Sequence, residues 1–222
     1  MVTLERKISK NKFILVFIIT AIIFSIGVFV GSKFTSYVIL DIEQSQETLK
    51  NQISGVDLKN EILRKTDICE LSWDSIWKDK VELGNLVEIL ERRLGKEDPQ
   101  VILTKTNYQL VQVRTWLLLK DIKERCNTET KIILFFYTNK KNDPLGDDTQ
   151  SETQGAVLNA AYNKYGSDVS IFSFDVNINN PAVETLLEIY GVTITPTLVI
   201  EGKTYIGLKS LPEIEQYLFS SR

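Results

Sequence analysis

Hydrophobic positions along this chain follow four successive rhythms, and each predicts a different kind of element. Residues 13–30, FILVFIITAIIFSIGVFV, carry no charge at all. A run of that length can cross a bilayer core of roughly 30 Å as a helix. Residues 38–66 then follow a seven-residue beat. Ile42, Leu49, Val56 and Leu63 share one heptad position, and Ile39, Gln46, Ile53 and Asn60 share the other. Such a seam fits a short coiled coil, and it fits equally a single amphipathic helix folded back on its own domain. Gly55 weakens either helix by about 1 kcal/mol relative to alanine. From 69 to 126 the spacing becomes three-and-four. Trp73, Ile76, Trp77, Val81, Leu86, Val87, Leu90 and Leu94 mark one helix, stopped by Gly95. KEDPQ makes a turn, with Pro99 suited to the first turn of the next helix. That second helix carries Ile102, Leu103, Tyr108, Val111, Trp116, Leu117, Leu119 and Ile122. A short connection makes two long helices antiparallel neighbours.

From residue 131 the pattern shortens. KIILFFYT and VSIFSFDV (169–176) are continuous apolar runs of the buried-strand type. Between them Val157, Leu158, Ala161, Tyr162 and Tyr165 form one helical face, closed by Gly166. NPAVETLLEIYG predicts a helix capped by Asn180, with Pro181 in its first turn and Gly191 at its end. PTLVIE and KTYIG, split by Glu201-Gly202-Lys203, predict a hairpin. SLPEIEQYL closes with a capping Ser210. The expected order over 131–219 is β-α-β-α-β-β-α. The domains expected before it are a basic tail (1–12), a transmembrane helix (13–31), a helical stalk (36–66) and an antiparallel helical hairpin (69–126).

That α/β order, together with VTITPTLVIEGKTYIG, resembles the thioredoxin fold, and in particular the membrane-anchored thioredoxin-like proteins of prokaryotes. The resemblance covers 131–219 and implies a cis bond at Thr195-Pro196. It also implies a groove beside that bond, where the family lines extended polypeptide. Thr195, Pro196, Thr149 and Tyr205 are the candidate groove residues. In the family a C-x-x-C motif opens the first helix of this domain, its thiol acidified by the helix N-terminus. The matching positions here are Asp148, Thr149, Gln150 and Ser151, none of which supplies a thiolate. Thr149-Gln150-Ser151-Glu152 reads instead as a capping box, with Thr149 bonding the third helical N–H and Glu152 bonding back.

Charge and composition narrow the chemistry. Arg6, Lys7, Lys10 and Lys12 precede the apolar run and only Lys33 follows closely. By the positive-inside rule the N-terminus is cytoplasmic and the C-terminal domain extracytoplasmic. A cleaved signal peptide is the rival, but its apolar core is shorter, about 7–15 residues, and ends at a small-x-small site. Gly27, Gly31 and Ser32 do not make a convincing one. A net charge of −3 gives no electrostatic case for nucleic acid. There is no histidine, so the commonest general base and zinc ligand are both missing.

Cys69 and Cys126 are the only sulfur pair. They lie at similar distances from the hairpin turn, which brings them together at its open end. In an oxidising compartment this predicts a structural disulfide; a redox-cycling pair and two buried free thiols are the alternatives. Asp143, Asp147, Asp148 and Glu152 lack the spacing of a calcium loop, so no metal and no cofactor are expected. The leading functional expectation is a redox-inactive, membrane-anchored module that binds a protein or extended peptide. Its rivals are a thiol–disulfide oxidoreductase using Cys69/Cys126 or partner cysteines, and an assembly protein dimerising through the 38–66 stalk.

Overall fold

The computed structural model describes residues 10–66, 69 and 73–219. Those residues form two compact units, Met1–Asn51 and Gln52–Arg222. Helix α1 (Lys10–Lys65) supplies all that is described of the first. Within it Phe13–Val30 has a mean hydropathy of 3.0, and no side chain of that stretch is buried, so one helix is long and apolar enough to span a membrane. Its two hydroxyls fold back onto the helix, Thr20 donating to the Val16 carbonyl at 2.9 Å and Ser25 to Ala21 at 2.8 Å. This leaves neither hydroxyl in need of water, as an apolar surrounding would require. The expected basic residues Arg6 and Lys7, and the side chains of Lys10 and Lys12, lie outside the described residues.

The second unit is built on a four-stranded mixed sheet in the order β2-β1-β3-β4. Strand β1 (Lys131–Tyr137) pairs parallel with β2 (Val169–Asp175) and antiparallel with β3 (Thr197–Ile200), which pairs antiparallel with β4 (Lys203–Ile206). Around it run α2 (Trp73–Leu94), α3 (Pro99–Cys126), α4 (Asp148–Tyr165), a short 3₁₀ turn at Gly166–Asp168, α5 (Pro181–Tyr190) and α6 (Leu211–Phe219). The predicted punctuation holds: Gly95 and Gly191 take positive φ just past α2 and α5, and Asp98 caps α3 ahead of Pro99. The β3–β4 turn is the two residues Glu201-Gly202, both at positive φ, which matches the twist of a tight hairpin.

Strand alternation divides the core. Ile132, Leu134 and Phe136 of β1 face α3 and α5, meeting Trp116, Leu119, Val183 and Leu186. Ile133 and Phe135 face the other way, onto Leu158 of α4 and Ile214 and Leu218 of α6. With both faces covered, β1 reads as an unbroken apolar run rather than an alternating one. Each large side chain fully buried here contributes about 1.5–3 kcal/mol.

Strand β2 is a sheet edge, and α3 closes it. Gln112 is 1% exposed. Its Nε2 donates to the Ser173 carbonyl at 2.6 Å, and its Oε1 accepts from the Ser173 N–H at 2.8 Å. The side-chain amide thus replaces a neighbouring strand. Gln109 donates to the Asp175 carbonyl at 2.9 Å, and Lys105 donates to the Asp175 carboxylate at 2.7 Å, with Glu91 at 3.1 Å on its other side. Residues 105, 109 and 112 share one face of a helix, which is how one helix satisfies successive outward-facing groups of one strand.

The hairpin of α2 and α3 ends as its spacing predicts, with the Cys69 and Cys126 sulfurs 1.98 Å apart, at disulfide distance, across 57 residues. Closing a loop of that length stabilises the fold by about 4 kcal/mol in the chain-entropy treatment. Beside it, the described end of the heptad seam, from Val56 on, turns inward. Leu63 packs on Leu118 and Ile122 of α3, Val56 and Asn60 are buried, and Asp57 pairs with Arg114 at 2.6 Å. From residue 56 on, the seam thus faces its own domain at Val56, Asn60 and Leu63, with Leu63 against α3. The side chains of Ile39, Ile42, Gln46, Leu49 and Ile53 of the same seam, and those of Trp73 and Ile76, lie outside what the structure describes.

Replacing Gln112 by alanine leaves the Ser173 N–H and carbonyl buried without partners. It is expected to cost about 2–4 kcal/mol, since each such orphan costs about 1–3 kcal/mol. Urea denaturation of the purified protein against wild type measures it.

Candidate functional site

The site expected from the sequence lies where β1 ends, α4 begins and the chain enters β3. The Thr195-Pro196 bond is cis. Strand β1 runs out at Tyr137, and the loop from Thr138 to Asp147 turns across to Thr195. Three contacts fasten it there. The Thr195 N–H donates to the Leu145 carbonyl at 2.7 Å, the Asp147 N–H donates to the Thr195 carbonyl at 3.2 Å, and the Thr195 hydroxyl reaches Leu145 at 3.3 Å. Gly146 forms a parallel bridge with Thr195. A Cβ there would lie 2.0 Å from Thr195 Oγ1 and 2.3 Å from its carbonyl oxygen, so only glycine permits the approach.

Both main-chain groups of Thr195 are already used by the loop, and Thr195 is only 4% exposed. What remains is a cleft of about 260 Å³ lined by Pro144, Gly146, Gln150, Ile194, Ile206 and Gly207, among others. Leu145, Ile194 and Ile206 stand exposed around it. Tyr205 does not belong to it. Successive strand residues point to opposite faces, and Tyr205 stacks instead on Tyr217 of α6, ring centroids 3.9 Å apart. Thr149 sits exposed in the first turn of α4, its carbonyl accepting from Thr153 at 2.8 Å.

The cap of α4 also differs from the expected box. Asp147, not Thr149, is the N-cap: its Oδ1 accepts from the Gln150 N–H at 2.9 Å, and the helix begins at Asp148. The loop's tie to Thr195 fixes Asp147 in an extended conformation, and this sets the start two residues early. Of the four positions matching the family's thiol motif, Asp148 and Thr149 occupy the first turn and Gln150 lines the cleft. Ser151 is buried, its Oγ accepting from the Thr138 N–H at 3.3 Å.

Asp143 anchors the loop from beneath. Its carboxylate accepts from the Thr138 hydroxyl and Asn177 Nδ2, both at 2.6 Å, and from the Leu145 N–H at 2.9 Å. Burial pushes its pKa up, but donation from Asn177, Thr138 and Leu145 outweighs this and leaves the carboxyl below its ordinary value. Asp143 is thus engaged as a structural acceptor, held apart from Asp147, which caps the helix. Next to this network, Asn139 donates to the Asp175–Lys105 pair at 3.0 Å. Tyr137 lies over Lys105, and its phenol is pushed well above its ordinary pKa by burial, then by the charges of Asp175 and Glu91.

Sequence reading missed Lys105, Gln109 and Gln112 as a group, although their i, i+4, i+7 spacing interrupts the apolar face of α3. It also missed Lys80, Tyr108 and Ser170, which lie far apart in sequence and meet only when α2 crosses the sheet edge.

No protein family is matched by this chain, and no curated protein sequence matches it either.

The carboxyl pKa gives a pH signature. Because the folded value of Asp143 is depressed, its contribution is full above the unfolded value of about 4 and is lost as pH falls through the folded value. The stability advantage of wild type over Asp143→Asn, about 1–2 kcal/mol for its charged hydrogen bonds, should be full at pH 6. It should vanish in strong acid, as read by thermal melts of both proteins across that range.

Proposed function

We propose that this chain is a single-pass membrane protein whose extracytoplasmic portion ends in a thioredoxin-like domain without redox activity, serving as a protein- or peptide-binding module. One observation carries the loss of thiol chemistry. The helix end beside the Thr195-Pro196 loop holds Asp147, Asp148, Thr149, Gln150 and Ser151, while the chain's two cysteines sit together at Cys69–Cys126, at the foot of the α2–α3 hairpin. The strand order, with helices on both faces, supports the thioredoxin-like reading. The uncharged helix Phe13–Val30 supports the anchor, and the basic residues before it support a cytoplasmic N-terminus.

The contact surface in this reading is the apolar rim of Leu145, Ile194 and Ile206 rather than main-chain pairing at Thr195. Exposed aliphatic side chains around a shallow cleft suit the side chains of a partner protein.

Two measurements test the proposal. Reduction of insulin by dithiothreitol should run no faster with the purified protein than without it, and equally with a Cys69→Ser/Cys126→Ser variant. Catalysis by wild type that the double variant lacks would restore the oxidoreductase reading. Separately, a photoreactive residue at Ile206 in native membranes should give a discrete protein adduct, whereas one at Tyr205 should give little. Equal yields from both would remove the rim as the contact surface.

A further inference from the structure

A second cleft lies on the opposite side of the domain from the β3–β4 hairpin, where α2 crosses the β2 edge towards α4. It measures about 470 Å³, within the range of small-molecule sites. Four aromatic rings line it: Trp77 of α2, Tyr108 of α3, Phe135 of β1 and Tyr162 of α4. The Lys80 amine enters from α2. It donates to the Ile171 carbonyl of the edge strand and lies 5.0 Å from the Trp77 ring centroid and 4.6 Å from that of Phe172.

Three observations set this cleft apart from an ordinary packing gap. Among the described residues no acidic side chain lines it, although the chain has 29 acidic residues. Among the described residues the lysine therefore meets a carbonyl and two π faces, but no carboxylate. Burial alone pushes its pKa down to about 7, with no charge acting the other way. Lastly, Ser170 on β2 is 2% exposed and lines the cleft, and its hydroxyl has no hydrogen-bond partner. A buried hydroxyl left unpaired is costly, and a ligand acceptor or donor would relieve it.

We propose that this cleft is a binding site for a small aromatic monocarboxylate, its ring lying among Trp77, Tyr108, Phe135 and Tyr162 and its carboxylate pairing with Lys80. An ammonium has three donors, and the Ile171 carbonyl engages one of them, so two remain for an anion. Charge complementarity selects the occupant. A neutral ring leaves the buried cation uncompensated, and a cationic one adds a like charge beside it. The desolvated ion pair repays its cost because the amine is already buried before the ligand arrives.

The pairing is linked to protonation. Binding is strongest where Lys80 is charged, and the affinity falls as pH rises above the free-state value near 7. Tyr108 and Tyr162 are the other titratable side chains lining the cleft. Burial pushes the Tyr108 phenol up to about 12, so it stays neutral throughout this window.

The test uses the full chain in lipid nanodiscs, with indole-3-carboxylate as probe, indole-3-carboxamide as its neutral counterpart, and empty nanodiscs as blank. Calorimetric titration at pH 6.5 should show saturable carboxylate binding at least ~10-fold tighter than the amide, weakening by a similar factor by pH 9. Lys80→Met should lower carboxylate affinity at least ~10-fold, and Lys203→Met on the distant hairpin should not change it. Should Lys80→Met misfold, Gly155→Leu gives an independent reading. A Cβ there meets only Phe135, at 3.9 Å, so the larger side chain fills the cleft without touching the lysine and should abolish binding of both probes. Equal affinity for acid and amide, binding unchanged in Lys80→Met or in Gly155→Leu, or no binding by millimolar probe each overturns the proposal.

Discussion

The structure depends on how the open edge of β2 is closed. A sheet edge presents unpaired N–H and carbonyl groups that must meet water, another strand or a substitute. Here the substitute is a helix. Gln112 exchanges two hydrogen bonds with Ser173, Gln109 takes the Asp175 carbonyl, and Lys80 takes that of Ile171. Helix α3 can lie across the strand because its polar stripe falls in step with the outward-facing groups, while its apolar residues Val113, Trp116 and Leu119 reach the sheet face. One element thereby seals the edge and covers half the core.

Much else follows from that placement. Once α3 is fixed, α2 is held beside it by the short Gly95–Asp98 turn and by the pairing of Glu91 with Lys105. The end of α1 then settles on the outer side of α3 through Leu63 and Asp57. The two sulfurs lock the far end of the hairpin. Lys80 is drawn inward as a consequence: where α2 crosses the edge, its amine has a strand carbonyl to satisfy and two aromatic rings beside it. The edge-closing device therefore also creates the cleft with the displaced amine.

At the other end of the sheet the same logic operates with a loop instead of a helix. The backbone of Thr195 would stand open as a pairing site, but the chain's own Leu145–Asp147 segment takes both of its main-chain groups. Gly146 makes this possible by lacking a Cβ, and Asp143 holds the loop's underside. The domain thus leaves neither of these two strand-like surfaces free for another chain's backbone. In the proposed reading a partner at the cleft is held through the exposed side chains of Leu145, Ile194 and Ile206.

The sequence alone determined what depends on local pattern. The apolar run, the helix stops at Gly95 and Gly191, the Asn180-Pro181 start and the Glu201-Gly202 turn were all legible, because each is a short-range preference of backbone or side chain. The pairing of Cys69 with Cys126 was legible too, since helix lengths on either side of a tight turn fix which positions meet. The heptad seam was ambiguous, because one apolar stripe serves a partner copy and an intramolecular helix equally well; burial of Val56 and packing of Leu63 on α3 show the intramolecular use within one chain. Tertiary structure alone chose Asp147 over Thr149 as the cap, closed the Thr195 edge, turned Tyr205 towards α6, and gathered Lys80, Tyr108 and Ser170 around one cavity. Such juxtapositions join residues separated by tens of positions, and they are settled by which surfaces must be covered rather than by any spacing along the chain.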